Sequence, residues 1–185
     1  MKKIRFLLLS VFVLIATNVF ADYTSVKGVR VNQSYKSACA AMNKVAEFIE
    51  EKEETLPSSL PGFDIIATFT GDTEFHFRYS KYKDKYLNRA CEIKIYSSKD
   101  SWVGYISIKF DDSEYKHRDA IYRELRDLYV DRYGRPEHEY DSYSFYEDMP
   151  DEETFTYNTN DGIEVEISRY GDGLPYVTFR VKPSN

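Results

Sequence analysis

The chain has 185 residues, with 31 acidic and 25 basic side chains and a formal net charge of −6. It is too short for a typical (β/α)8 barrel, which needs about 250 residues, and it lacks the basic charge typical of nucleic-acid-binding proteins. Hydrophobic residues make up 42% of the chain and aromatic residues 16%, including 17 tyrosines. The composition therefore indicates a folded, acidic protein with enough apolar material for a core, and it does not reveal an activity.

Residues 1–21 have the pattern of a secretory signal peptide. Three basic residues are followed by an almost unbroken apolar run over residues 6–16 and by small residues at the expected cleavage positions. An uncleaved membrane anchor is the alternative, but the run is shorter than the ~20 residues that span a bilayer. We expect cleavage before Asp22, which leaves 164 residues with a net charge of −9, because the segment holds three basic and no acidic residues. The pattern predicts a periplasmic protein, with secretion as a further possibility.

Cys39 and Cys91 are the two cysteines of the chain, 52 positions apart. An oxidising destination favours disulfides, and closing a loop of this size would stabilise the fold by about 3–4 kcal/mol in the chain-entropy account. A catalytic thiol paired with a histidine is the alternative, and nothing around either cysteine supports it. We therefore expect a Cys39–Cys91 disulfide.

The first predicted element of the mature chain is a helix over residues 34–54. Apolar side chains recur there at spacings of three and four and form one stripe. Ser34 offers an N-terminal cap, and Pro57 prevents continuation of the helix. Cys39 lies at the border of the stripe, so a bond to Cys91 would join this helix to a sheet.

Four antiparallel strands are predicted between residues 63 and 110. Alternating apolar and polar residues mark the strands, and turn residues separate them. The predicted strands are residues 63–70, 73–79, 87–96 and 102–110, with a polar connection at 81–85. The apolar faces predicted for the second, third and fourth strands consist of Phe75, Phe77, Tyr79; of Leu87, Cys91, Ile93, Ile95; and of Trp102, Gly104, Ile106, Ile108, Phe110.

A second helix is predicted over residues 113–133. Asp111 and its two neighbours can cap its start, Gly134 stands where a left-handed residue is wanted, and Pro136 blocks a restart. The strands predicted after it are residues 140–146, 154–158, 163–170 and 176–181, with Asn160-Asp161-Gly162 as a hairpin turn.

The predicted order is a helix with four strands, followed by a helix with three or four strands. We therefore expect an α+β fold in which an antiparallel curved sheet of about seven to eight strands carries both helices on one face. The length fits a single domain over residues 22–185. The repeated order divides it into two helix-plus-meander units, residues 34–110 and 111–182.

The helix that ends in Tyr133-Gly134-Arg135-Pro136 and continues into a β-meander from Tyr140 to Val181 resembles a loose group of small exported bacterial proteins. The resemblance covers about residues 105–182 of the chain. The two-unit order is also similar to β-lactamase-inhibitor-like folds and to envelope-assembly lipoproteins. Binding to protein partners is what the resemblance implies, and no functional residue carries over, because the Tyr-Gly-x-Pro sequence is itself a helix stop.

The common signatures of catalysis, phosphate binding and metal binding are absent from the sequence. His76, His117 and His138 fall in three different elements, so a zinc site is not expected. A calcium loop at the Asn160 turn fails, because Ser168 stands where the loop needs a bidentate glutamate. We expect no catalytic residue, no metal and no cofactor, although a hydrolase with paired carboxylates stays open.

Tyrosines and acidic residues cluster after the second helix. Exposed tyrosine is favoured at protein interfaces, and an acidic run can dock a basic partner. A solvated loop and the strand preference of tyrosine are the alternative explanations. The candidate partner-binding residues are Tyr140, Tyr143, Tyr146, Glu147, Asp148, Asp151, Glu152 and Glu153.

The sequence favours a periplasmic protein-binding protein that neutralises a toxin or an enzyme, as immunity proteins and inhibitors do. A strongly negative charge would speed association with a basic secreted toxin or cell-wall enzyme. An envelope assembly or accessory factor is the alternative, and a carboxylate-dependent hydrolase is a further one. No nucleic-acid partner and no stable membrane insertion after cleavage are expected.

Overall fold

The fold, known from a computed structural model, is described for residues 25–57, 74–98, 102–142, 152–159 and 161–182. The predicted signal peptide over residues 1–21 and the predicted strand over residues 63–70 lie outside these ranges. The strands are β1 (Ser25–Val26), β2 (Val29–Arg30), β3 (Glu47–Pro57), β4 (Glu74–Tyr86), β5 (Arg89–Ser98), β6 (Val103–Phe110), β7 (His138–Ser142), β8 (Glu152–Asn158), β9 (Ile163–Tyr170) and β10 (Tyr176–Val181). The helices are α1 (Tyr35–Met42) and α2 (Arg118–Tyr133), with a 3-10 helix at Asp112–His117 before α2.

Eight strands form one antiparallel sheet in the order β3-β4-β5-β6-β10-β9-β8-β7, and β1 and β2 form a separate hairpin. Each helix is followed by a four-stranded meander, and the two meanders meet at their last strands, where Ser107 of β6 pairs with Thr178 of β10. The predicted α+β class and the predicted antiparallel sheet are confirmed. The hairpin of β1 and β2 was not predicted.

The first helix is much shorter than the predicted range of residues 34–54. α1 ends at Met42, and β3 occupies the second half of that range. The stretch keeps helical apolar spacing, but as a strand it pairs with β4 over ten residue pairs, and Phe48 packs edge-on against Tyr82 with ring centroids 5.7 Å apart. Pairing with a neighbouring strand therefore overrides the local helical pattern.

β4 is longer than predicted and includes the expected polar connection at residues 81–85. The chain reverses instead at Leu87 and Asn88, which have positive φ angles of 49° and 61°. Two consecutive residues with positive φ suit the twist of a tight two-residue hairpin. The alternating lysines of this stretch therefore belong to a strand and share one side of the sheet.

Directly paired residues lie on the same side of an antiparallel sheet, and alternate residues lie on opposite sides. One cross-strand row of buried residues defines what we call the apolar face: Tyr82, Ile93, Ile108, Val177, Ile167 and Phe155. The adjacent row defines the polar face: Lys81, Lys94, Ser107, Thr178, Glu166 and Thr156.

Two predicted faces are wrong in part. Phe77 and Tyr79 of β4 lie on the polar face, because they alternate in step with Lys81 rather than with Tyr82. At the start of β6 a bulge shifts the register, so that Val103 is buried while Trp102 is exposed. Alternation alone does not reveal a bulge, because one extra residue reverses the side of every residue beyond it.

Each helix contacts the sheet through its tyrosines. The hydroxyls of Tyr35 in α1 and Ser80 in β4 share a hydrogen bond of 2.7 Å. In α2 the ring of Tyr122 lies 5.8 Å from that of Phe155, and the ring of Tyr129 lies 5.7 Å from that of Tyr157, measured between centroids. Neither helix of the described residues is long and apolar enough to cross a membrane.

The predicted end of the second helix at Tyr133 is confirmed, but the first residues of the predicted range form the 3-10 helix, and α2 itself begins at Arg118. Asp111 caps the 3-10 helix by accepting a hydrogen bond of 2.9 Å from the backbone N–H of Ser113. Gly134 follows the last residue with a φ of 80°, and its N–H donates to the Val130 carbonyl at 2.8 Å. Its ψ of −153° differs from the left-handed helical conformation that was expected.

Candidate functional site

Both cysteines are free thiols in the structure, in contrast to the disulfide expected from the sequence. The Cys39 thiol donates to the Ser80 hydroxyl at 3.4 Å, whereas Cys91 is buried in β5 opposite Asp84. Ser80 and Asp84 are four residues apart on β4, which is about 13 Å along a strand. A disulfide needs Cα atoms within about 7 Å, so the position of α1 above Ser80 keeps the two thiols apart.

Cys39 belongs to a small cluster of polar groups between α1 and β4. The hydroxyls of Tyr35 and Tyr82 lie around the Ser80 hydroxyl, and burial raises the pKa of both tyrosines above their usual value. The guanidinium of Arg78 lies 5.4 Å from the centre of the Tyr35 ring. These tyrosines are therefore neutral at physiological pH, and their contacts position α1 on the sheet.

The predicted partner-binding residues fall into three groups, according to how much of each residue the structure describes. Five of them lie outside the described residues: Tyr143, Tyr146, Glu147, Asp148 and Asp151. Tyr140 and Glu152 are described in their backbones alone, which pair with Thr154 and Tyr170. Glu153 is described in full and makes an internal contact.

Glu153 takes part in a charged cluster that joins α2 to the sheet. Arg169 of β9 donates to Glu153 and to Asp119 of α2, both at 2.9 Å, and its guanidinium lies 4.3 Å from the centre of the Tyr122 ring. The hydrogen bond from Arg169 lowers the pKa of Glu153 below its usual value. Glu153 therefore links β8 to Arg169 of β9, while its side chain remains 39% exposed.

Sequence reasoning missed a stacked pair of tyrosines beside the predicted site. The rings of Tyr170 and Tyr176 stack at 6.0 Å with an interplanar angle of 20°, and Tyr170 is 49% exposed. The turn between them is tight, since the Gly173 N–H donates to the Tyr170 carbonyl at 2.8 Å. The backbone of Glu152 pairs with Tyr170, so this tyrosine pair borders the predicted acidic segment. A Gly-Asp-Gly turn with a tyrosine close to each end is the pattern that could have revealed it.

Sequence reasoning also missed a concentration of lysines on the polar face of β3 to β6. This lysine face consists of Lys52, Lys81, Lys83, Lys85, Lys94 and Lys109, with Glu47, Glu50 and Glu92 between them. Among the described side chains, six positive and three negative charges leave a net charge of +3 on this area. The net negative charge of the whole chain gives no indication of this local positive charge. The spacing of Lys81, Lys83 and Lys85 at every second residue is the pattern that could have revealed it.

Aromatic side chains lie along one border of the lysine face. The ring of Tyr96 lies 5.5 Å from that of Tyr79 and 5.3 Å from that of Tyr105, and the ammonium of Lys94 lies 5.2 Å from the centre of the Tyr79 ring. Burial raises the pKa of Tyr105 to about 12. The polar face of this meander therefore combines neutral aromatic rings with an excess of positive charge.

Within the described ranges, no group of three or more His, Cys, Asp and Glu residues is placed to hold a metal ion. No family model, no curated protein and no solved structure matches the chain. We therefore infer function from the surfaces of the molecule itself.

Proposed function

We propose that the protein is an exported protein-binding protein that neutralises a toxin or an enzyme, as an immunity protein or an inhibitor does. The observation that carries the proposal is the stack of the exposed Tyr170 on the half-buried Tyr176, which borders the acidic, tyrosine-rich segment that begins at Tyr140. Tyrosine rings bury a large area at little cost in side-chain entropy and keep a polar tip for hydrogen bonds. Such residues are enriched at the energetic centres of protein interfaces.

We also propose that both helices cover the apolar face, so that Tyr170, on the opposite side of the sheet, stays accessible to a partner. Ser80, the contact of α1, and Phe155, the contact of α2, both belong to the apolar face. Tyr170 and Tyr176 belong to the polar face, because they alternate in step with Glu166 and Thr178. This arrangement separates the tyrosine pair from the helices that complete the core.

Charge supports a basic partner at this end of the sheet. The mature chain is expected to carry a net charge of −9, and Glu147, Asp148 and Asp151 stand within five positions of one another. A negative surface raises the association rate with a positive partner and aligns the two surfaces. We propose these three residues, with Tyr140, Tyr143, Tyr146 and Glu152, as further contacts around the tyrosine pair.

The test replaces Tyr170 with a photo-crosslinking aromatic amino acid in the producing cell and identifies the captured protein. The matched control carries the same amino acid at Tyr115, which is 48% exposed on the 3-10 helix and thus similar to Tyr170. With the purified partner, Tyr170→Ala should raise Kd by about 10-fold or more, as expected for an interface centre. Tyr115→Ala should change Kd by less than about 2-fold, because it lies outside the interface.

Two further results test the proposed neutralising role and the proposed surface. The captured protein should lose its own activity when the purified protein is added, because neutralisation is the proposed role. The absence of any adduct at position 170, or identical adducts at positions 170 and 115, would contradict the proposed surface.

An envelope assembly or accessory factor is the second candidate, and the edge of the sheet favours it. Among the described strands, β3 lies at one edge of the sheet; it has eleven residues, and Phe48 and Ile49 at its bulge are 51% and 44% exposed. An exposed edge can accept a strand from another protein. If Ile49→Lys abolishes partner binding while Tyr170→Ala does not, the edge is the binding site and this second function is favoured.

A further inference from the structure

The lysine face is a regular array of positive charges. Lys81, Lys83 and Lys85 alternate along β4, so residues of this face repeat about every 6.6–6.8 Å. Lys94 on β5 and Lys109 on β6 extend the array across the sheet, where neighbouring strands are about 4.8 Å apart. The array is therefore built into the sheet and does not depend on the conformation of a loop.

The protein neutralises only part of this charge. Glu92 binds Lys81 at 2.6 Å and Lys94 at 3.6 Å, and Glu50 binds Lys52 at 2.8 Å and reaches Lys81 at 4.0 Å.

The remaining three lysines of the face, Lys83, Lys85 and Lys109, are exposed. Glu47 is the cross-strand neighbour of Lys83, and hydrogen bonds, with Lys83 in addition, lower the pKa of Asp111. No described carboxylate, however, lies within the 4.0 Å of an ion pair with any of the three lysines. Like charges on one face repel one another, so the uncompensated lysines favour the approach of a negatively charged molecule.

Two features favour carboxylates over phosphates as the negative groups. All six cations of the face are lysines, whereas arginine is the residue that binds phosphate in a bidentate manner. Glu50 and Glu92 show directly that carboxylates fit between these lysines. An extended polypeptide also places alternate side chains about 6.6–6.8 Å apart, which matches the repeat of the lysines along β4.

We propose that the lysine face is a second interaction surface, which binds an acidic, extended polypeptide segment of a partner protein. Alternate aspartates or glutamates of the segment lie opposite Lys83 and Lys85, and its apolar side chains lie toward the aromatic border at Tyr79 and Tyr96. This surface belongs to the first meander, whereas the tyrosine pair belongs to the second. The inference therefore stands independently of the proposed function.

The test measures the binding of a fluorescent ten-residue glutamate peptide to the purified protein by anisotropy, with ten-residue serine and lysine peptides for comparison. Only the glutamate peptide should bind, and raising the salt from about 20 mM to about 200 mM should weaken it by about 10-fold, because exposed charges are screened. The triple variant Lys83→Gln/Lys85→Gln/Lys109→Gln should lose about 10-fold in affinity.

The matched control removes three exposed lysines elsewhere, in the variant Lys36→Gln/Lys44→Gln/Lys116→Gln. It changes the net charge equally and should change Kd by less than about 2-fold, since it leaves the lysine face intact. If the triple variant of the face does not fold, the single variant Lys109→Glu should still weaken binding more than Lys116→Glu does.

Three results would overturn the inference. Equal losses in the two triple variants would show that total charge, and not this face, attracts the peptide. Failure of the glutamate peptide to bind at low salt would contradict the proposal that the partner is acidic. Tighter binding of a single-stranded oligonucleotide or a polyphosphate of equal charge would assign the face to a phosphate polymer instead.

Discussion

Gly134 shows how far a single residue can be understood from sequence. Its place after α2 and before Pro136 identified the end of the helix, because glycine and proline end helices for known steric reasons. Its φ of 80° and ψ of −153° were not predictable, since several conformations with positive φ are open to glycine. The path of the following chain selects among them, and that path depends on β7.

Gly134→Ala should lower the free energy of unfolding by about 1–3 kcal/mol, because this conformation is strained for a residue with a Cβ. Apart from its neighbours in the chain, no described atom lies within 4 Å of the position that the new Cβ would take, so a clash with the rest of the fold contributes nothing. Gly104→Ala is the control, since its surroundings are equally open and its φ is not positive. Urea unfolding of the two variants should separate them, and equal losses would contradict the assignment of strain to Gly134.

The two cysteines differ in their expected reactivity. Burial raises the pKa of Cys91 to about 12, whereas Cys39 is partly exposed. Iodoacetamide at pH 8 should therefore label one cysteine in the folded protein and both in denaturant, which mass spectrometry measures. If neither cysteine is labelled in denaturant until a reductant is added, the two cysteines form a disulfide, and their assignment as free thiols is wrong.

The raised pKa of Cys91 also predicts a dependence of stability on pH. The folded state favours the neutral thiol, so its contribution is complete below the usual pKa of 9.0 and is lost as the pH rises toward about 12. Substitution by alanine should therefore reduce the loss of stability in this alkaline range, as measured by urea unfolding at several pH values.

At the scale of elements, β3 shows where local patterns fail. The segment carries helical spacing in its apolar residues, yet its backbone forms a strand beside β4, at one edge of the described sheet. Elements with an unambiguous pattern were predicted well: β9 and β10 have the predicted bounds, Ile163–Tyr170 and Tyr176–Val181. The difference is that β3 depends on a partner distant in sequence, which no local pattern contains.

The contact of α2 with the sheet depends on the charge of Glu153. Because the pKa of Glu153 is lowered in the folded state, its ion pair with Arg169 stabilises the fold above the usual pKa of 4.5 and is lost as the pH falls through the lowered value. Glu153→Gln should cost about 0.5–1 kcal/mol at pH 7, after allowance for solvent screening. The cost should disappear near pH 2.

Glu124→Gln, which changes an exposed glutamate of α2, is the control and should have little effect at either pH. Free energies of unfolding from urea titrations at the two pH values give the comparison. A loss for Glu153→Gln that stays the same at both pH values would show that packing, and not the ion pair, is responsible.

At the scale of the whole molecule, the sequence predicted the repeated order of helix and meander but not which strands would be neighbours. Within each meander, consecutive strands pair, as short connections favour. The junction of β6 with β10 joins residues about 70 positions apart, for example Ser107 and Thr178, and local patterns carry no information about such pairing. This junction decides whether the lysine face of the first meander and the tyrosine pair of the second lie on the same side of one sheet.

Hydrogen exchange of backbone amides, followed strand by strand, tests this junction most directly. Central strands open only when the sheet opens, whereas edge strands exchange through local fraying. We expect the amides of β6 and β10 to be among the slowest to exchange and those of β3 and β7, the outermost of the described strands, to exchange fastest. If β6 or β10 exchanges as fast as β3 and β7, the two meanders do not form one continuous sheet, and the placement of the lysine face and the tyrosine pair on one side of it is wrong.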